Sequence, residues 1–382
     1  VVLNSKQNWW PLMYFKALSR FTIFLCMMTL SACSHKTLQL DAENIISKDD
    51  LLRGDILLGE DAEKINLPDE DILYINEKAR SLLNYYVPDN YNDHMKVNLL
   101  MKAVLGRGAM SLRYDVDKTH TAQGAFESRE ANCLGFSYLF VSMARELGLK
   151  ARFQEVYIPP QWTSAKEKVY YFSRHVNVRV DIPQTGASYI IDIDRASVKP
   201  HYRVKMLSDR HAKALYYNNV AMEYLTKEET ADAFRYLIKA LKMAPEESAI
   251  WSNLGVLYRL NDLPKYAEKA YQIALDYGKS TQSVLNNLST LYDHIGNMEK
   301  AQYYAALAKR HQMKNPYYRY HRAQEAYAEG DYKTTLDHLR AAVKKKTNEY
   351  KFHQLLAETY TKLGMEPQAH KASSKAEKLR LN

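Results

Sequence analysis

Residues 130–149 read EANCLGFSYLFVSMARELGL, and from Leu134 to Leu147 the stretch is apolar on nearly every side of a helix (Leu134, Phe136, Tyr138, Leu139, Phe140, Val141, Met143). A helix without a polar face is one buried all round, so the stretch predicts the central helix of a domain. Gly148-Leu149 supplies a helix-ending pair. Cys133 falls in the first turn, where unpaired backbone N–H groups and the positive end of the helix dipole favour negative charge on a side chain.

Upstream, the pattern predicts helices over Ile72–Tyr86 and Asp93–Leu105. Downstream, three segments alternate as strands do: Ala151–Tyr157, His175–Val180 and Tyr189–Asp194. His175, Asn177 and Arg179 share one face of the second strand; Ile190, Asp192 and Asp194 share one face of the third. A histidine and an aspartate on the same face of neighbouring strands can hydrogen-bond. A cysteine at a helix tip aimed at that histidine completes a nucleophile, a base and an orienting carboxylate. Taken singly, Cys133 reads as a packing thiol and His175 as a strand-end surface residue; the ordered set with its flanks points to a reactive triad. Asp194 shares the face of Asp192 and remains an alternative third member. Trp162, after Pro159-Pro160, rims the cleft or packs in its own loop.

The order Cys133, His175 at 42 residues and Asp192 at 17 more resembles the transglutaminase-like fold of papain-type thiol enzymes. The flanks agree: Leu112-Arg113-Tyr114, Thr121-Ala122, the run Ala144 to Arg152, His-Val-Asn-Val from His175 and Tyr-Ile-Ile-Asp from Tyr189. The resemblance covers roughly 90–200. It implies that Cys133 attacks an amide carbonyl, His175 shuttles the proton, Asp192 fixes the imidazole tautomer and the Cys133 N–H helps hold the oxyanion. The chain departs from the family pattern at Ala131 (often glycine), Leu134 (tryptophan in cross-linking members), Val176-Asn177 (commonly Ala-Trp) and Ile193 (proline). These departures leave the triad whole and lean towards relatives that hydrolyse amides.

The C-terminal part repeats. Frames of 34 residues starting at 214, 248, 282, 316 and 350 align without a gap. The second frame has Trp251, Leu254, Gly255, Tyr258, Ala267, Tyr271 and Ala274; the fourth is worn, with Thr335 where alanine belongs. Small residues let two antiparallel helices approach, large ones fill the space between pairs, and Gly296, Gly330 and Gly364 allow the turns. This resembles the tetratricopeptide (TPR) repeat over 214–382, which implies a continuous core and a concave face for a protein or peptide partner. Tyr303, Tyr304, Tyr317, Tyr318 and Tyr320 line that face or pack between repeats.

At the other end, Met13 is a plausible start. Lys16 and Arg20 precede the apolar run Phe21 to Leu30 and then Leu30-Ser31-Ala32-Cys33, the layout of a signal peptide. The run is too short to span a bilayer. The ending resembles the lipobox of bacterial lipoproteins, which implies lipidation of Cys33; Ser34 then favours the outer membrane. Of 53 Lys and Arg, three lie in the first 33 residues, leaving 50 bases against 44 acids, too small a surplus to argue for nucleic acid. Lys344-Lys345-Lys346 reads as a solvated helix end. Gly106-Arg107-Gly108 lacks the Lys-Ser/Thr of a phosphate loop, and the twelve histidines have no metal-ligand spacing, so neither cofactor nor metal is expected.

The sequence thus predicts a signal peptide over 1–33, a tether over 34–70, an α+β transglutaminase-like (papain-type) domain over 71–210 and an all-α TPR solenoid of five repeats over 214–382. The function it points to is an envelope-anchored thiol hydrolase, a cysteine peptidase or amidase, facing the periplasm. An acyl transferase joining a glutamine to an amine, and an inactive scaffold for an envelope complex, are the alternatives.

Overall fold

The computed structural model describes residues 46–64, 66–158, 174–194, 198, 202–278 and 281–381. The stretch expected to be a signal peptide, with Cys33, and also Trp162 lie outside the described residues. The described chain opens with α1 (Lys48–Arg53), α2 (Asp55–Leu58) and a 3-10 turn (Gly59–Lys64). Then come α3 (Glu77–Tyr86), α4 (Asp93–Leu105), β1 (Arg113–Tyr114), α5 (Ala122–Ser128), β2 (Glu130–Ala131) and α6 (Cys133–Glu146). The strands β3 (Lys150–Tyr157), β4 (Arg174–Ile182), β5 (Ala187–Ile191) and β6 (Val204–Leu207) follow.

Every residue of α6 from Leu134 to Ala144 is buried, because the helix lies between the sheet on one side and α3, α4 and α5 on the other. Its C-terminus closes as the Gly148-Leu149 pair predicts: Gly148 takes φ 78°, its N–H donates to Arg145 O (3.0 Å) and that of Leu149 to Ala144 O (3.0 Å). The sheet is antiparallel in the order β5-β4-β3-β6, with Gln154 opposite Asn177 and Val178 opposite Ile191. Two predicted boundaries move by three residues or more. The first helix begins at Glu77, after the Asn76 cap, and not at Ile72; β5 ends at Ile191, so Asp192 lies beyond the strand.

The repeats form five helical hairpins: α7–α8 (Asp209–Thr226, Thr230–Met243), α9–α10 (Ser248–Leu260, Pro264–Tyr277), α11–α12 (Thr281–His294, Met298–Gln312), α13–α14 (Pro316–Ala328, Tyr332–Lys345) and α15–α16 (Tyr350–Lys362, Glu366–Arg380). Their turns recur at one left-handed position: Glu228 (φ 62°), Asp262 (54°), Gly296 (74°), Gly330 (79°) and Gly364 (70°). The hairpin geometry fixes this conformation even where the residue carries a Cβ, at a cost of about 1 kcal/mol. Replacing Glu228 or Asp262 with glycine should therefore raise stability by about 0.5–1 kcal/mol, read from the denaturation midpoint. Thr335 fits its alanine position by donating its hydroxyl to the carbonyl of Asp331, the cap of its own helix (2.8 Å).

One apolar core runs from Leu51 to Ala301 and joins the α+β part to the first three hairpins; a second, smaller one runs from Ala323 to Ala372. The continuous core expected of the array is thus interrupted at the worn fourth frame. There Tyr317 and Tyr320 pack forward onto Phe352, with ring centroids 5.4 and 5.0 Å away. Tyr304 stacks on Tyr292 at 5.4 Å, while Tyr303 is exposed. Packing between helices accounts for most of the tyrosines that sequence left open.

The stretch expected to be a tether is, from residue 46 onward, fastened to the repeats. Leu51 is fully buried and its carbonyl accepts the Tyr258 hydroxyl (2.7 Å). Arg235 Nε donates to Asn66 O (2.7 Å) and Lys239 pairs with Asp69 (2.8 Å). The Glu70 carboxylate accepts hydroxyls from Tyr216 and Tyr236, and burial together with those bonds holds both phenols far above their usual pKa. Gly54 (φ 82°) lets Phe234 approach so closely that an added Cβ would lie 2.4 Å from Cε1. Since that ring is fully buried, Gly54→Ala should cost about 2 kcal/mol or more, measured by chemical denaturation.

Among the described residues no helix is long and apolar enough to cross a membrane.

Candidate active site

The approach to α6 is pinned by a short parallel ladder. Tyr114 stands opposite Ala131, Arg113 N–H donates to Arg129 O (2.9 Å) and Asp115 N–H to Ala131 O (3.0 Å). Asn132 then caps the helix: its Oδ1 accepts from the N–H groups of Leu134 (3.1 Å) and Gly135 (2.9 Å), and its Nδ2 donates to Thr119 Oγ1 (2.9 Å). Cys133, half-buried, is the first residue of the helix, and among the described residues no group takes its backbone N–H. Ser137 Oγ donates to Cys133 O (2.7 Å) and reaches Val176 O (3.2 Å), tying this first turn to β4 beside His175.

His175 and Asp192 are brought together in the interior, 2% and 5% exposed. The ring's Nε2 lies 2.9 Å from Asp192 Oδ1 and 2.8 Å from Oδ2. Asn177 Nδ2 donates to Oδ2 (3.0 Å) and the Asp194 N–H to Oδ1 (2.8 Å), so both carboxylate oxygens are satisfied. Nε2 is thereby committed to Asp192, and the Cys133 side chain lies close enough to the ring to act on its charge.

Burial pulls the imidazole towards neutrality, but hydrogen bonds to Asp192 and Cys133 and their negative charges outweigh it, raising the His175 pKa from 6.5 to about 10. Tyr114, nearly half exposed, is pushed up to about 12, first by burial and then by the charges of Cys133, Asp194 and Asp192. It stays a neutral donor beside the site.

The choice between Asp192 and Asp194 rests on where β5 stops. Continuing its register past Val178–Ile191 would set Asp194 opposite His175 and Asp192 opposite Asn177. The chain leaves the sheet after Ile191, Asp192 reaches across to the ring, and Asp194 contributes a backbone N–H. Asn177, Asn132 and Thr119 were not singled out as site residues in the sequence. The signal for Asn177 was its place two residues beyond His175 on the same strand face. Among the described residues no group of three or more His, Cys, Asp or Glu is placed to hold a metal ion.

Residues 80–190 match the sequence model of the transglutaminase-like superfamily, and Cys133 and His175 fall inside the match. The repeats are similar to solved helical-repeat structures. YrrB, described as a TPR protein with an unusual peptide-binding site, is 18% identical, covering 44% of this chain and 87% of that one with a TM-score of 0.24. PilF of Pseudomonas aeruginosa is 17% identical (45% and 78% covered, TM-score 0.27). MamA from Desulfovibrio magneticus is 14% identical (45% and 96%, TM-score 0.25). No curated protein matches the chain. The family match and the 34-residue hairpin period together define the class: a transglutaminase-like domain followed by a TPR-like helical repeat region.

Proposed function

We propose that this chain is a thiol hydrolase that cleaves an amide of a protein or peptide through Cys133, His175 and Asp192. The observation that carries the reading is a buried imidazole hydrogen-bonded to Asp192, with Cys133 at the tip of a helix tied to the same strand by Ser137. Cys133 sulfur attacks the amide carbonyl carbon, and the uncommitted Cys133 N–H stabilises the resulting oxyanion. His175 gives its proton to the departing amine as the C–N bond breaks, leaving a thioester. Water then attacks the thioester, His175 takes its proton, and the acid leaves as the sulfur is released. Asp192 keeps the ring oriented throughout.

Leu134, in place of the tryptophan of cross-linking relatives, favours hydrolysis over transfer. The repeat array supplies the grip on a protein or peptide partner. The lipobox-like ending at Cys33 anchors the chain in a bacterial envelope, with Ser34 favouring an outer-membrane site facing the periplasm. Globomycin treatment of expressing cells, followed by mass analysis, tests this: a retained signal peptide supports the anchor, and unchanged processing rules it out.

The activity is tested by acylating Cys133 with p-nitrophenyl acetate and dividing the thioester between water and an added primary amine. Turnover in water that amine barely alters supports hydrolysis; amide product dominating at millimolar amine would make the chain an acyl transferase. No acylation in the folded protein, with Cys133→Ala fully functional in cells, leaves the scaffold reading.

A further inference from the structure

We infer that Thr119 is a positioning residue for acylation of Cys133, and that the first repeat helix, α7, is thereby part of the active-site scaffold; the inference rests on Cys133 being an acyl-accepting nucleophile. An asparagine cap has an oxygen end and a nitrogen end of nearly equal shape, and the partner of one end decides what the other presents. At Asn132 that partner is the Thr119 hydroxyl, 2.9 Å from Nδ2. Held so, the cap spends its oxygen on the N–H groups of Leu134 and Gly135 and leaves that of Cys133 for an oxyanion.

Thr119 is in turn held by α7. Asn219 Nδ2 donates to the same hydroxyl (3.3 Å), and Glu223 Oε1 accepts the Thr119 N–H (2.9 Å). Thr119 is 6% exposed and Asn132 9%, so water offers little substitute for these bonds. The loop is also pressed on the helix tip: a Cβ at Gly135 would lie 3.2 Å from His120 O. Asn219 through the Thr119 hydroxyl and Glu223 through its backbone N–H, about 100 positions downstream, thus fix the loop that holds the turn carrying the cysteine.

The test compares two reactions of Cys133 in the full chain. With p-nitrophenyl acetate the sulfur bonds to the acyl carbon, a tetrahedral oxyanion forms, and p-nitrophenolate departs with the electrons of the broken C–O bond. With iodoacetamide the sulfur displaces iodide at a saturated carbon and no oxyanion forms. Thr119→Val keeps the shape and removes the hydroxyl; it should slow acylation about tenfold while alkylation stays within about twofold, and Thr119→Ser should restore acylation. Asn219→Ala, which leaves the loop's own residues intact, should act in the same direction and serves if Thr119→Val folds poorly. Equal slowing of both reactions, or no change in acylation, overturns the inference. A wild-type chain that alkylates but does not acylate overturns instead the nucleophile reading, and this inference with it.

Discussion

Replacing His175 with glutamine should slow acylation of Cys133 by p-nitrophenyl acetate about 10³-fold while the chain stays folded. Glutamine keeps a polar group against Asp192 but cannot exchange a proton near neutral pH. The same substitution should change how stability depends on pH. The folded-state pKa of about 10 stands above the ordinary 6.5, so the native protein holds this proton more tightly than the unfolded chain. The resulting stabilisation is fully present below about pH 6.5 and is lost as pH rises through about 10. Denaturation midpoints should fall across that window in the wild type and fall less in His175→Gln. Equal slopes in the two proteins would show that the ring is not protonated in the native state.

Asp192→Asn should lower acylation nearly as far, by about 10³-fold, because an amide can present its N–H to the ring and stabilise the wrong tautomer. Asn177 sharpens this expectation: its own amide nitrogen already points at Oδ2, 3.0 Å away, so a second amide there sets donor against donor. Asp194→Asn is the internal control. It keeps the backbone N–H, the part of residue 194 that touches Asp192, and should leave the rate much closer to wild type. A larger loss from Asp194→Asn than from Asp192→Asn would exchange their roles.

The pieces of the candidate site legible in advance were those written in local periodicity. A run apolar on all sides can only be a buried helix, and alternation put His175 and Asn177 on one strand face. The assignment of Asp192 over Asp194 was not legible, since period-2 alternation treats both alike and the strand's end depends on the packed sheet. Thr119 and Asn132 escaped for a related reason: Thr119 acquires its place only when residues 100 and 104 positions later stack against it.

Residues 46–70 show the same divide. Their polar, weakly patterned sequence reads as a tether, because nothing local announces that Glu70 will meet tyrosines 146 and 166 residues away or that Leu51 will lie under Tyr258. The 34-residue period with Gly296, Gly330 and Gly364 determined five hairpins and three of their left-handed turns, since neighbouring helices interact through short-range spacing along one chain. Tertiary structure decided the docked N-terminal segment, the break in the core at the fourth hairpin and the network around the cysteine. Those depend on contacts between segments far apart in sequence, whose loop-closure entropy is offset only once the whole core is assembled.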